Sequence, residues 1–270
     1  MAWLHWREIA YPGSLFSSGA ILFWQNRLLF AVGSEKYWAS RGSETLVSFW
    51  GLGGRQEPGE SLLATLRREV GEEANCQVRL RDSRRTYLMV EAEDPQPIRL
   101  VQTQELGERT ALEMDRDSSL GVLPSGNLLT ALGPAQALDG GRSSRGSRAG
   151  PTVPVAWMEE VRPLLFWKRV IDLKDELGEI HQTPYFGVAF LGGVEGEPRP
   201  GAEIPALLAL SHEQLLAAES GGTLLTDLLQ GGATLIGGRP LPAAARLFPY
   251  GTAGYLARLL RSARLRLSEE

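Results

Sequence analysis

The chain has 270 residues, a mass of 29.5 kDa and a formal net charge of −4, with 43% hydrophobic and 22% charged residues. This is the composition of an ordinary globular protein with room for one large domain or two small ones, and it lacks the basic excess of a general nucleic-acid binder. The single cysteine, Cys76, excludes an internal disulfide framework and a cysteine-ligated zinc cluster.

The first residues, MAWLHWREIAYPG, contain no apolar run of signal-peptide length and carry Arg7 and Glu8 early. The next apolar stretch, AILFWQNRLLFAV, is cut by Gln25, Asn26 and Arg27 and is too short to cross a bilayer. The expectation is a cytoplasmic protein with no membrane partner. GAILFW and RLLFAVG, on either side of Gln25-Asn26, read as a β-hairpin, and Thr45 to Gly54 reads as a third strand ending in a glycine turn. A helix is expected from about Glu60 to Ala74, followed by strands at CQVRL, RTYLMVEA and, after Pro95 and Pro97, IRLVQ.

Periodicity fades between Thr103 and Pro154, where GGRSSRGSRAG (140–150) has too little apolar character to fold on its own and reads as a flexible insertion. VAWMEEVRPLLFWKRVIDLKDEL reads as helical on both sides of Pro163. PYFGVAFLGG reads as a buried strand with EIPALLALS as its neighbour, and Ser211 opens a helix. The tail, Gly221 to Glu270, reads as two helical segments, the last basic on one side and leucine-rich on the other. It is expected to dock on the domain or on a second subunit, so a homodimer is one of two assemblies left open. Alternating strands and helices point to a layered α/β domain.

The segment GLGGRQEPGESLLATLRREVGEEAN (51–75) carries the chemistry. On a helix of about 100° per residue with Leu62 at zero, Leu62, Leu66, Val70 and Leu63 fall within an arc of about 100° and form the buried stripe. Glu72, Glu69 and Glu73 fall at about 280°, 340° and 20°, so this acidic arc abuts and overlaps the stripe instead of lying opposite it. Glu69 repels Glu72 and Glu73 at helical spacing, each pair losing a few tenths of a kcal/mol. The C-terminal end of the helix dipole disfavours each anion by about 0.3–1 kcal/mol more. A divalent cation at the edge of the core reverses the sign of all these terms.

Gly54, five residues, Glu60, seven residues, then Arg68-Glu69-Val70-Gly71-Glu72-Glu73-Ala74-Asn75-Cys76 resembles the signature of the Nudix hydrolase family. Every charged position of that signature is matched. Asn75 stands where the family has its second glycine, and Cys76 where it has an aliphatic residue. Both changes are mild, because asparagine is the next most tolerant residue of a left-handed helix end and cysteine buries as a small hydrophobe.

The resemblance implies an α+β, α-β-α sandwich fold with a mixed sheet. Residues 1–220 would form the domain, with an insertion at about 103–155, and 221–270 a helical C-terminal extension. It also implies hydrolysis of a diphosphate bond in a small nucleotide-type substrate, with Glu69, Glu72 and Glu73, and the Gly54 carbonyl as an addition, holding Mg²⁺ or Mn²⁺. Glu60 and Arg68 are expected to orient loop and helix through a salt bridge. The general base is open between Glu69, Glu203 and Glu213, the last two equally readable as solvated glutamates. A non-catalytic nucleotide-sensing module and an isomerase of the same fold are the competing readings; no cysteine-and-glutamate pair supports the isomerase.

His5, His181 and His212 have no metal-ligand spacing, and no nucleophile elbow or Walker A loop is present. Lys36 to Trp38 and Trp50 could stack on a base or simply pack at strand ends. Arg41 and Arg55 could approach phosphate or merely face water. No substrate is named by any of these residues.

Overall fold

The computed structural model describes residues 15–90, 95–102, 130–131, 154–157, 161–174, 178–242, 244–262, 265 and 267. In chain order the strands are β1 (Leu15–Trp24), β2 (Arg27–Val32), β3 (Ala39–Arg41), β4 (Glu44–Trp50) and β5 (Gly53–Arg55), followed by helix α1 (Leu62–Ala74). Then come β6 (Gln77–Arg81), β7 (Thr86–Val90), β8 (Gln96–Gln102), β9 (Thr130–Ala131), β10 (Pro154–Trp157), β11 (Leu165–Lys174), β12 (Ile180–Glu195) and β13 (Ala206–Leu210). The chain continues through α2 (His212–Glu219), β14 (Thr223–Leu224), α3 (Leu225–Gln230), β15 (Thr234–Gly237), β16 (Ala245–Pro249) and α4 (Gly251–Arg261).

The main path of the sheet runs β14-β16-β4-β2-β1-β12-β11-β7-β8-β10-β9, with β13 and β15 branching from β2. The sheet is mixed: β1 runs parallel to β12 and β16 parallel to β4, whereas β1–β2 and β11–β12 are antiparallel. Side chains alternate between two apolar layers, as the pleat requires. Ala20, Leu22, Leu29 and Ala31 face the layer that α1 covers, and Ile21, Leu28, Phe30 and Val32 face the layer filled by α2, α3 and α4. Helices on both faces of a mixed sheet give the expected sandwich. The hairpin is also as read: Gln25 and Asn26 both adopt positive φ, 48° and 60°, the twist a two-residue turn needs.

Three expectations are corrected. Residues 165–174 form a strand, because Leu165, Phe166 and Trp167 are buried and the following side chains alternate along β12, a period of two that the helical reading around Pro163 overlooked. EIPALLALS supplies β13, which pairs with β2 and not with β12. The tail is not only a helical extension: β16 enters the main sheet beside β4, held by two bonds from Arg246 to Glu44 of 2.8 and 2.6 Å. Leu256, Leu259 and Leu265 are buried within the chain itself, so the apolar face that suggested a second subunit is already covered.

The flexible tract at 140–150 and most of the insertion at 103–155 lie outside the described residues. Among the described residues no helix is long and apolar enough to cross a membrane.

Candidate active site

Helix α1 is fastened at both ends. Ser61 caps its start, accepting from the Ala64 N–H at 3.1 Å. Leu62, Leu63, Leu66 and Val70 are all buried, so the apolar stripe seats the helix on the sheet as its spacing predicts. At the other end Asn75 takes the left-handed conformation (φ 47°, ψ 38°) while its N–H returns to the Gly71 carbonyl, which is how asparagine serves where glycine is usual.

The connection between β12 and β13 then closes over this end. The N–H groups of Arg199 and Gly201 donate to the carbonyls of Ala74 and Glu73, both at 2.8 Å, and Asn75 Nδ2 donates to the Arg199 carbonyl. A Cβ at Gly201 would lie 1.7 Å from the Glu72 carbonyl oxygen; only glycine allows the approach. Two otherwise orphaned helix carbonyls are thereby satisfied, and Glu203 is brought into electrostatic reach of Glu69 and Glu73.

The acids follow their helical angles. Glu73, nearest the stripe, is 8% exposed, while the side chain of Glu69 is 16% exposed and that of Glu72, farthest round, 56%. Glu73 accepts from the Gly53 N–H at 2.8 Å and from Trp50 Nε1 at 3.3 Å. Burial pushes its carboxyl up to about 8, against the pull of those two donors. Burial also raises Glu69, with Arg68 opposing and the charges of Glu72 and Glu203 adding to the rise. The Glu69 carboxylate lies directly over Gly54, where a Cβ would stand 2.3 Å from it.

Arg68 organises the polar side. Its Nε donates to Glu60 Oε1 at 2.8 Å, its Nη1 to Glu69 Oε1 at 2.8 Å and to Glu72 Oε2 at 3.1 Å, and its Nη2 to Glu60 Oε2 and the Arg55 carbonyl at 3.1 Å each. All the N–H groups of the guanidinium are used. Glu60 also accepts from Thr65 Oγ1 at 2.8 Å and from the Glu57 N–H, and the Arg68 bonds hold its carboxyl down at about 2. The expected Glu60–Arg68 pair is therefore present, and Arg68 reaches further than its i+4 spacing to Glu72 suggests.

Crowding of the acids is eased within the chain by two means: a guanidinium bridging Glu69 and Glu72, and the burial that pushes the Glu73 carboxyl up. Among the described residues, no three acidic, histidine or cysteine side chains are placed so as to grip one ion together. Glu73 has both oxygens engaged, and Glu69 and Glu72 share Arg68. The donor chemistry still suits a hard divalent cation, being oxygen only, and it concentrates charge that such a cation relieves.

Beside Gly53 and Gly54 opens a cavity of about 580 Å³. Its walls are largely aromatic, with Trp50, Trp167, Tyr185, Phe248, Tyr250 and Tyr255 on them, and β1 contributes Ser17 and Ser18. Trp50 therefore has one edge on Glu73 and lines the cavity as well. Trp38 instead donates to the Gly33 carbonyl at 2.7 Å, the packing role weighed for it. Glu213 sits at the start of α2, in the opposite helical layer from α1, beside His212, which leaves Glu203 and Glu69 as the acids near the site. The sequence reading missed Trp167, Arg169, Tyr250 and Tyr255. The signal was the β-alternation of LFWKRVIDLK, which places Trp167 and Arg169 on one side of a strand.

No protein-family model and no curated protein matches this chain. Two solved structures, both NUDIX hydrolases from Nitrosomonas europaea, match at 12% identity each, with TM-scores of 0.32 and 0.33. They cover 75% and 80% of this chain, and this chain spans 60% and 84% of theirs.

Proposed function

We propose that the chain is a metal-dependent hydrolase of the Nudix type, cleaving a diphosphate bond in a nucleoside diphosphate linked to another group. The reading is carried by one observation: Glu69, Glu72, Glu73 and Glu203 gather at the end of α1 beside a large aromatic cavity, with two of them raised by burial. Carboxylates perturbed by burial beside a cleft mark a candidate site of chemistry.

In this reading Glu69, Glu72, Glu73 and the Gly54 carbonyl would hold Mg²⁺ or Mn²⁺, with Glu73 giving up its bonds to Gly53 and Trp50 to do so. When bound, the ion would supply charge neutralisation at the diphosphate and a more acidic water. The chain's own groups do the rest. Arg68 and Glu60 lock the 55–60 loop to α1 and keep the acids in register. Glu69 or Glu203 would accept the proton of the attacking water; burial raises the carboxyl of Glu69 and with it its basicity.

The test is a panel of nucleoside diphosphate derivatives with and without Mg²⁺, read by product analysis. The expected result is magnesium-dependent release of two phosphate-containing products from at least one member. Glu72→Gln and Glu73→Gln should each abolish that turnover while the circular dichroism spectrum is kept; a wild-type rate in either at saturating Mg²⁺ refutes the site. A second reading, a nucleotide-sensing module that does not cleave, draws on the Arg68 bridge, which already places a cation between Glu69 and Glu72. It predicts ligand binding with no products.

A further inference from the structure

The far wall of the cavity is built differently from the acidic wall. Trp167 of β11 lies flat against the neighbouring strand, where a Cβ on Gly187 would come within 2.1 Å of the indole. Arg169, two residues on, points the same way. Its guanidinium carbon is 5.4, 4.9 and 5.5 Å from the ring centres of Trp167, Tyr185 and Tyr250, and its Nη1 donates to the Tyr250 hydroxyl at 2.8 Å. Such stacking fixes a guanidinium without neutralising it. Among the described residues no carboxylate pairs with Arg169, and it is the one charged side chain lining the cavity.

The other groups on this wall are donors or hydroxyls. Helix α4 begins here with Gly251 and Thr252. Its N-cap, Tyr250, makes no side-chain capping bond, and the N–H groups of Ala253 and Gly254 turn back to the Tyr250 carbonyl. The first two N–H groups of the helix have no acceptor within it, and the positive end of its dipole faces the cavity. Trp167, 5% exposed, and Ser18, 1% exposed, add Nε1 and Oγ, and neither atom has a hydrogen-bond partner. An unpaired cation, a helix N-terminus and two buried polar groups lacking partners form an electropositive wall in a chain of net charge −4. Aromatic rings surround it.

The geometry points to this wall as the binding site for a nucleoside monophosphate unit, its phosphate on Arg169 and the first turn of α4, its flat ring stacked among the aromatic side chains. A phosphate satisfies donors that share no acceptor, and a base is the flat partner that stacks on such rings. This rests on the proposed function in one respect only: the unit would be half of the substrate cleaved at the acids.

The experiment is calorimetric titration of the full chain, in magnesium-free buffer with a chelator, with AMP, GMP, CMP and UMP, and then with the nucleoside of the best binder and with ribose 5-phosphate. At least one monophosphate should bind, and at least tenfold more tightly than its nucleoside and than ribose 5-phosphate. Arg169→Gln should weaken the monophosphate at least tenfold and leave the nucleoside unchanged, with Arg169→Lys in between; the unchanged nucleoside affinity shows that the variants are folded. Binding of none of the four, equal affinity for nucleotide and nucleoside, or an Arg169→Gln protein that binds the nucleotide like wild type overturns the assignment. Because no metal or turnover is involved, nucleotide binding that depends on Arg169 stands even if no substrate is ever cleaved. Cleavage with binding indifferent to Arg169 keeps the hydrolase reading and removes this one.

Discussion

The buried Glu73 offers a test that needs no substrate. Its carboxyl titrates at about 8 in the folded chain because burial penalises the anion, against an ordinary value of 4.5. Between those two pH values the folded chain holds a proton that the unfolded chain has released, so stability falls as pH rises, by about 1.4 kcal/mol per pH unit, and levels off above 8. The full cost of ionisation at pH 9 comes to about 5 kcal/mol. Glu73→Gln removes that charge but keeps the shape. It has a single oxygen, however, for the two donors Gly53 N–H and Trp50 Nε1, and loses about 1 kcal/mol for the bond it cannot make. The variant should therefore be about as stable as wild type at pH 5, where the two effects nearly cancel, and more stable at pH 9 by about 4 kcal/mol. Urea unfolding followed by tryptophan fluorescence, at fixed ionic strength with a chelator present, measures both. Two curves that run parallel from pH 5 to pH 9 would show that Glu73 does not titrate as its burial requires.

Gly201→Ala puts a methyl group 1.7 Å from the Glu72 carbonyl oxygen; the 199–201 loop must lift and lose its bonds to α1, costing about 2–4 kcal/mol in urea unfolding, and a cost under about half a kcal/mol would refute the contact. Arg68→Gln frees Glu60, whose carboxyl Arg68 holds down at about 2. Wild type gains stability from this pair above pH 4.5 and loses it as pH falls towards 2, so the variant should show a flatter acid limb in a pH-dependent melting series, and an identical limb would refute the pairing. In the same variant Glu69 and Glu72 lose their shared counter-ion, and magnesium should raise its melting temperature more than it raises that of the wild type; an equal response would contradict the bridge.

Local patterns were legible where one element decides them. Gln25-Asn26 between two apolar runs could only be a turn, and the angles of Glu72, Glu69 and Glu73 around α1 foretold their order of exposure. Relations between distant segments were not. Gly201 reads as one more loop glycine until the Glu72 carbonyl is seen beneath it. Arg68 has a natural partner four residues on, and nothing in its spacing says that its other nitrogens reach back over the 55–60 loop. Residues 165–174 were misread because Trp167 and Phe166 suit either element, and Pro163 drew attention to a helix break instead of a strand start. With that strand lost, the cavity wall was lost too, since its other side comes from a tail read as an appendage.

That tail has a kinetic consequence. Arg246 and Glu44 meet across 202 positions of sequence, and β16 lies along β4 with the same long loop between them. Closing so long a loop is an entropic debt settled late, so the earlier strands must wait for the last quarter of the chain before their edge is covered. The chamber between Ser18 and Thr252 comes into being only at that final docking. A nucleotide that fits it would bind finished molecules alone, and would lower the population of opened ones the more firmly it is held.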